Sequence, residues 1–408
     1  MATPSIPTTS ILTSRMPAPS IPTTTPAAPA AAAPPAADPA TGEKPEIGRQ
    51  DRPIAGIHHV TALAGDPQAN ADFYTGVLGL RLVKKTVNYD DPGTYHLYYG
   101  DELGRPGTLL TFFPWPHARR GQLGAGQATV TSFSVPEGSF AYWSERLRRS
   151  GTAHDEPRRR GEDEEFLRLL DPDGLELELV AHPGSAAGNP WEGGPVAVEY
   201  AIRGFFAVTI VEWNADRTAD MLTGTLGFRL EAETGSRFRF GVGAPAAATV
   251  AAATAAGAAA TAGSPQASSR QASSSPPAAR GLGTRLDLLA QPTAGRGRIS
   301  AGTVHHVAWR VAGDREQQAW HRDLIAGGHH VSPIMDRQYF HSIYFREPGG
   351  VLFEIATDAP GMTADESVAR LGSDLRLPPW LVPSRTEIEA VLPPLAPRVR
   401  PGAAGGAS

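Results

Sequence analysis

Ile57-His58-His59-Val60-Thr61 is an apolar, β-branched run carrying two imidazoles, and it returns near the other end of the chain as Val304-His305-His306-Val307-Ala308. Each copy reads as a strand. Alternate side chains of a strand face opposite sides, so His59 shares a face with Ile57 and Thr61, while His58 points away unless the strand bulges. Soon after the second copy comes Gly349-Gly350-Val351-Leu352-Phe353-Glu354-Ile355, a turn launching a further strand. Two neutral imidazoles and one carboxylate are what a protein offers an Fe(II)- or Mn(II)-type ion when coordination positions must stay open for substrate.

Working outward from these runs, the chain repeats one rhythm four times: strand, helix, then several strands. The first module opens at Ile57–Ala62, continues with a helix over Asp66–Val77 that Gly79 ends, and adds strands around Leu80–Tyr89, Tyr95–Tyr99 and Thr108–Pro114. The second has a strand at Ala128–Val135, a helix over Phe140–Arg149 closed by Gly151, and strands near Phe166–Leu170 and Leu175–Ala181. The third runs from Gly204–Val211 through a helix at Asp216–Leu222 to strands at Phe228–Glu233, Arg237–Val242 and Arg285–Leu289. The fourth has Thr303–Val311, a helix over Arg315–Ile325, and strands at His330–Asp336, Ser342–Glu347 and Leu352–Ala356. Phrases recur inside the modules. Leu78-Gly79-Leu80-Arg81-Leu82 returns as Leu226-Gly227-Phe228-Arg229-Leu230, and Asp171-Pro172-Asp173-Gly174 parallels Glu347-Pro348-Gly349-Gly350. Fixed-order self-similarity marks an array of repeated units. The expectation is an α+β fold of four βαβββ modules pairing into two half-barrels.

The remainder of the 408 residues is compositionally different. Residues 1–52 are rich in Ala, Pro, Thr and Ser, as is an insert at about 244–281 within module three. Neither holds enough apolar surface to offset chain entropy, so both are expected to be disordered. Residues 53–183 then carry modules one and two, residues 200–360 carry modules three and four, and 361–408 form an extension expected to be partly disordered. The net charge is −5 and the arginine clusters accompany no nucleic-acid motif, so they read as solvated faces. The absence of cysteine excludes disulfide frameworks and thiolate metal sites. No apolar run approaches the ~18 residues of a membrane span, and no compact secretory signal is evident, so a cytoplasmic location is expected.

These segments bear a resemblance. Gly56 through Thr61, Thr111-Phe112-Phe113-Pro114-Trp115-Pro116, Thr131 through Pro136 and Asp336 through Asp358 resemble the vicinal oxygen chelate superfamily, which groups glyoxalases, bleomycin-resistance proteins and extradiol dioxygenases. Within it they resemble dioxygenases that open hydroquinones and chlorohydroquinones, and Tyr339 through Gly350 is the most specific stretch. The resemblance implies His59, His306 and Glu354 as ligands of Fe(II), with Mn(II) as the alternative ion, and a small aromatic diol and O2 as partners. It gives His58, His305, Arg337 and Tyr344 catalytic positions and places Thr61, Arg337 and Tyr344 against substrate. Oligomeric state is left open.

The ligand distribution also requires modules one and four to build the metal-holding barrel together, leaving two and three as the other half. Glu178 occupies in module two the position of Glu354, but no imidazole accompanies it, so it is expected to be hydrogen-bonded or solvated. Phe112, Phe113 and Trp115 are candidates for an apolar wall, with core packing expected for at least two. Two other readings remain at this point: a glyoxalase-type isomerase or lyase, which usually carries a fourth protein ligand, and a metal-free module that binds an aromatic compound.

Overall fold

A computed structural model describes residues 54–242 and 283–396. The expectations for residues 1–52 and for the insert lie outside the described residues, apart from the flanks of the insert. Module one comprises β1 (Ile57–Ala64), α1 (Pro67–Ala71), β2 (Arg81–Asn88), β3 (Asp91–Gly100) and β4 (Leu109–Pro114). Module two comprises β5 (Gln127–Val135), α2 (Phe140–Ser150), β6 (Arg158–Arg160), β7 (Glu164–Leu170) and β8 (Glu176–Ala181). Module three holds β9 (Gly204–Glu212), α3 (Asp216–Asp220), β10 (Arg229–Thr234), β11 (Arg237–Gly241) and β12 (Arg285–Ala290). Module four holds β13 (Thr303–Val311), α4 (Asp314–Ala326), β14 (Met335–Asp336), β15 (His341–Arg346) and β16 (Leu352–Thr357).

Among the described residues, sixteen strands form two curled sheets of eight. One runs β14-β15-β16-β13-β1-β4-β3-β2 and the other β10-β11-β12-β9-β5-β8-β7-β6. Modules one and four thus share one half-barrel and modules two and three share the other. The seams are the antiparallel pairs β1–β13 and β5–β9. Every residue of β1 is buried, so both faces of the strand are covered. That double burial explains why its sequence is a nearly continuous apolar run instead of an alternation.

Local chemistry sets the element ends. Pro67 starts α1 where a missing N–H costs nothing, and the Asp66 side chain accepts from the Ala69 N–H at 2.7 Å. The helix then widens into a π-type turn over Asp72–Val77. Gly151 closes α2 with φ 71°, the left-handed conformation that suits glycine.

Two strand expectations change. Arg158–Arg160 adds a short edge strand, and His330–Asp336 contracts to Met335–Asp336. Pro333 explains the contraction, since it has no N–H for a ladder. Ser332 still pairs with Tyr344 through backbone N–H to C=O at 2.9 Å, so the segment tracks β15 without continuing as a strand.

The extension after residue 360 is structured through residue 396, with three short 3₁₀ turns and α5 (Arg385–Val391). It is tied to module one. Lys84, fully buried, bridges Asp365 at 2.6 Å and Glu366, and Tyr95 donates to the Pro393 carbonyl at 2.9 Å. Residues 397–408 lie outside the described residues.

The insert joins β11 to β12, and its flanks meet. Gly241 pairs with Arg285, and the Val242 N–H donates to the Thr284 carbonyl at 2.9 Å. Replacing residues 246–278 by a short Gly/Ser linker should therefore leave the melting temperature within about 3 °C of the parent, because loop closure entropy changes slowly with length. A thermal melt checks this, and a large drop would show that the insert packs on the core.

Candidate metal centre

The β1–β13 seam brings the two histidine pairs face to face. Thr61 lies opposite His306 across the antiparallel ladder, and β16 runs parallel to β13 with Ala308 beside Glu354. His59 Nε2 and His306 Nε2 come within 3.2 Å, and Glu354 Oε2 lies 3.3 Å from the first and 3.0 Å from the second. All three side chains are buried, and among the described residues they form the one group able to hold a metal ion. Burial alone would raise the Glu354 carboxyl, yet the imidazoles of His59 and His306 hold it well below the usual carboxylate range.

A cation fits this arrangement. Ser342 Oγ donates to Glu354 Oε1, while Oε2 accepts no well-directed hydrogen bond despite complete burial. Leaving such an acceptor unmet costs about 1–3 kcal/mol. Two ring nitrogens and one carboxylate oxygen converging on a common point are matched by an ion that accepts all three lone pairs.

The first histidine of each pair is placed differently from the second. The β1–β13 register slips between Ile57 and His59, so β1 bulges at His58. Both rings of that pair are consequently buried. His58 Nε2 lies 3.1 Å from the Thr357 carbonyl, which can only accept, so this nitrogen carries the proton. Burial pushes the His58 ring down to about 3, with the neighbouring His59 adding to the effect, so His58 stays neutral and its Nδ1 is an acceptor. The 2.9 Å contact between the two Nδ1 atoms is then donated by His59, whose Nε2 faces the site. His305 and His306 repeat the contact at 2.8 Å.

His58→Phe fills similar space but supplies no acceptor. It should weaken divalent-metal binding by roughly 10–100-fold, the usual effect of losing an outer partner of a ligating imidazole. A competition titration with a metal-binding dye measures this, and unchanged affinity would leave His58 as packing alone.

Beside the three donors lies a cavity of about 350 Å³. Arg337, Tyr344 and His305 line it, whereas His58 and Thr61 do not. Thr61 is instead buried in the sheet, 2.7 Å from Thr111 Oγ1. Arg337 Nε donates to the Tyr344 hydroxyl at 3.2 Å and its Nη2 pairs with Asp90 at 3.1 Å, not with Asp336 or Glu347. Burial and the charge of Glu354 raise the Tyr344 phenol far above its ordinary value, so it remains a proton donor. Phe113 and Trp115 line the cavity, while Phe112 is completely buried against Tyr74. The expected core role thus falls to one of these three aromatics, and two form wall.

Several cavity residues escaped the sequence reading: His96 and Tyr98 on β3, Tyr89 and Asp90 in the β2–β3 turn, and Phe340. His96 sits in a string of contacts, with Tyr98 Oη at 2.9 Å from Nδ1 and Thr111 Oγ1 at 2.9 Å from Nε2. Burial and the nearby imidazoles of His59 and His306 push its ring well below the ordinary value. The signal was available in the sequence: the register sets Tyr98 opposite Thr111 as it sets Tyr344 opposite Glu354, so Tyr95-His96-Leu97-Tyr98 is the module-one counterpart of His341-Ser342-Ile343-Tyr344.

Among the described residues, the other half-barrel carries no such site. Strand register aligns Val130 with His306 and Ala207 with His59, so neither imidazole has a counterpart. Glu178 accepts from Ser132 Oγ at 2.9 Å and from Arg160 at 2.8 Å. Arg237 and Arg239 meanwhile hold Asp287, each at 2.7 Å. Ion pairs thus engage the carboxylates of Glu178 and Asp287 in this half-barrel.

Comparison with known proteins gives a consistent picture. The family model described as Glyoxalase/Bleomycin resistance protein/Dioxygenase superfamily matches residues 56–179 and 205–355. A Bacillus subtilis relative named "Putative ring-cleaving dioxygenase MhqO" is 43% identical over 343 residues, covering 84% of this chain and 97% of its own. The chlorohydroquinone/hydroquinone 1,2-dioxygenase of Sphingobium indicum is 32% identical over 339 residues, or 82% of this chain and 95% of that one. A solved structure named "putative dioxygenase from Bacillus subtilis" superposes with a TM-score of 0.71 at 40% identity, covering 86% of this chain and 100% of the other.

Proposed function

The chain belongs to the glyoxalase/bleomycin resistance protein/dioxygenase superfamily, and on that premise we propose that it opens a hydroquinone-type aromatic ring with O2, using Fe(II) held by His59, His306 and Glu354. That it is a ring-cleaving dioxygenase rests on the names of curated relatives 32–43% identical over most of the chain. The observation that carries the finer reading is the convergence of two Nε2 atoms and one carboxylate oxygen at the edge of an aromatic-lined cavity. Three protein donors leave coordination positions for substrate and O2, which suits dioxygen chemistry better than a fully ligated ion.

When bound, the ion would supply coordination positions for the diol and O2 and a path for electrons from the diol to O2. The protein supplies position and protons. Phe113, Trp115 and Phe340 offer faces against which a planar ring can pack. The guanidinium of Arg337 places a permanent positive charge beside developing negative charge on oxygen. Because the Tyr344 oxygen already accepts from Arg337 Nε, its own proton is free to be donated into the cavity. His305, kept neutral by burial and by the neighbouring His306, can accept or return a proton there.

Anaerobic loading with Fe(II), followed by oxygen-uptake measurements over hydroquinone, chlorohydroquinone and catechol, tests the proposal. Consumption of one O2 per hydroquinone, with loss of the aromatic absorbance, is the expected result. An iron-loaded protein that consumes O2 with none of the diols would overturn it.

A further inference from the structure

The cavity contains a cation whose charge is already balanced. Arg337 reaches in from module four, and Asp90 crosses from the β2–β3 turn of module one to meet it at 3.1 Å. The turn holding Asp90 is anchored. Its backbone N–H is accepted by Asn88 Oδ1 at 3.0 Å, Thr94 Oγ1 ties Asp91 at 2.7 Å, and Tyr89 packs edge-on against Trp380 at 5.7 Å. Arg337 is mostly buried, with a side chain 16% exposed, whereas Asp90 is 64% exposed and faces the cavity mouth. The remaining neighbours of the guanidinium, the Tyr344 hydroxyl and Met335 Sδ, are uncharged.

We infer that Asp90 is a specificity-determining residue, and that by neutralising Arg337 at the cavity mouth it makes the site select uncharged aromatic diols over rings bearing a carboxylate. The inference deepens the proposed function and rests on it for the choice of substrates. A ring carboxylate entering this space beside the metal position would lose hydration and find its cationic side chain, Arg337, already paired. To obtain one it would have to displace Asp90 from Arg337, exchanging one carboxylate for another with no net gain. It would also approach Asp90 itself, a like charge. An uncharged diol meets neither obstacle. Selection of this kind works through an unfavourable interaction with the wrong ligand, not through a better fit for the right one.

The test compares hydroquinone with 2,5-dihydroxybenzoate, which adds only a carboxylate to the same diol. In the iron-loaded Asp90→Asn enzyme, the kcat/KM ratio of the acid to hydroquinone should rise at least ~10-fold over the parent ratio, the scale expected for a partly exposed charge pair. Adding Arg337→Gln should abolish the gain, because the freed guanidinium is what captures the carboxylate. A ratio within ~2-fold of the parent, or a gain that survives Arg337→Gln, would overturn the inference. A second measurement is independent of turnover. Benzoate, which carries no diol, should bind the Asp90→Asn holoenzyme about 10-fold more tightly than the parent by calorimetry, with the advantage shrinking as salt rises. If no diol is consumed by any form, the proposed reaction fails, but the benzoate comparison still decides the role of Asp90.

Discussion

Glu354→Ala, purified anaerobically and supplied with Fe(II), should retain less than about a tenth of the iron bound by the parent, and His59→Ala and His306→Ala should do the same. Each substitution drops three protein donors to two, which forfeits affinity and geometry together. The Glu354 change also removes the buried negative charge that the two imidazoles face at 3.3 and 3.0 Å. Glu178→Ala is the matched control. Its carboxylate occupies the corresponding strand position but is engaged by Ser132 and Arg160, so iron content should stay at the parent level. Metal analysis after anaerobic desalting measures all four variants, and thermal melting verifies that each is folded. Loss of iron in Glu178→Ala with retention in Glu354→Ala would reverse the assignment of the two half-barrels.

How much of this could be read from the sequence depended on repetition. The fold was legible because each module spells its elements in the same order, and because the apolar runs of β1, β5, β9 and β13 reflect burial on both faces. The meeting of His59, His306 and Glu354 followed from two copies of one phrase plus a carboxylate on the last strand. Features that depend on one irregularity were harder to see. The bulge at His58 is a slip in pairing with β13, and nothing local in Ile57–Thr61 announces it. Asp90 lies in a turn whose composition suits any solvent-exposed hairpin, and its partner Arg337 is far away in sequence. Lys84 is likewise an ordinary strand residue until residues 365 and 366 fold back to bury it. Long-range ion pairs leave no periodic trace, so only the three-dimensional arrangement reveals them.

Tyr344→Phe should keep its iron and lose about 10²-fold in kcat. The tyrosine ring stands edge-on to His306 with centroids 5.8 Å apart, and phenylalanine preserves that packing volume. What disappears is the hydroxyl, which accepts from Arg337 Nε at 3.2 Å on a residue that lines the cavity. The phenol is held protonated by burial and by Glu354, so at neutral pH it acts as a donor and not as a phenolate. Removing it takes away the hydroxyl proton and also releases one of the restraints on Arg337, leaving the Asp90 pair and the Met335 Sδ contact to fix the guanidinium. Arg337→Lys tests the same region from the other side. It keeps the charge but replaces the planar, multi-donor head by a point charge that cannot hold Tyr344 and Asp90 in one geometry. It too should retain iron while turnover falls. Steady-state kinetics with parallel metal analysis separates the outcomes. A Tyr344→Phe enzyme with parent rate and product would reduce Tyr344 to packing. Loss of iron in Arg337→Lys would instead mean that Arg337 supports the metal ligands, and its role beside the substrate would have to be withdrawn.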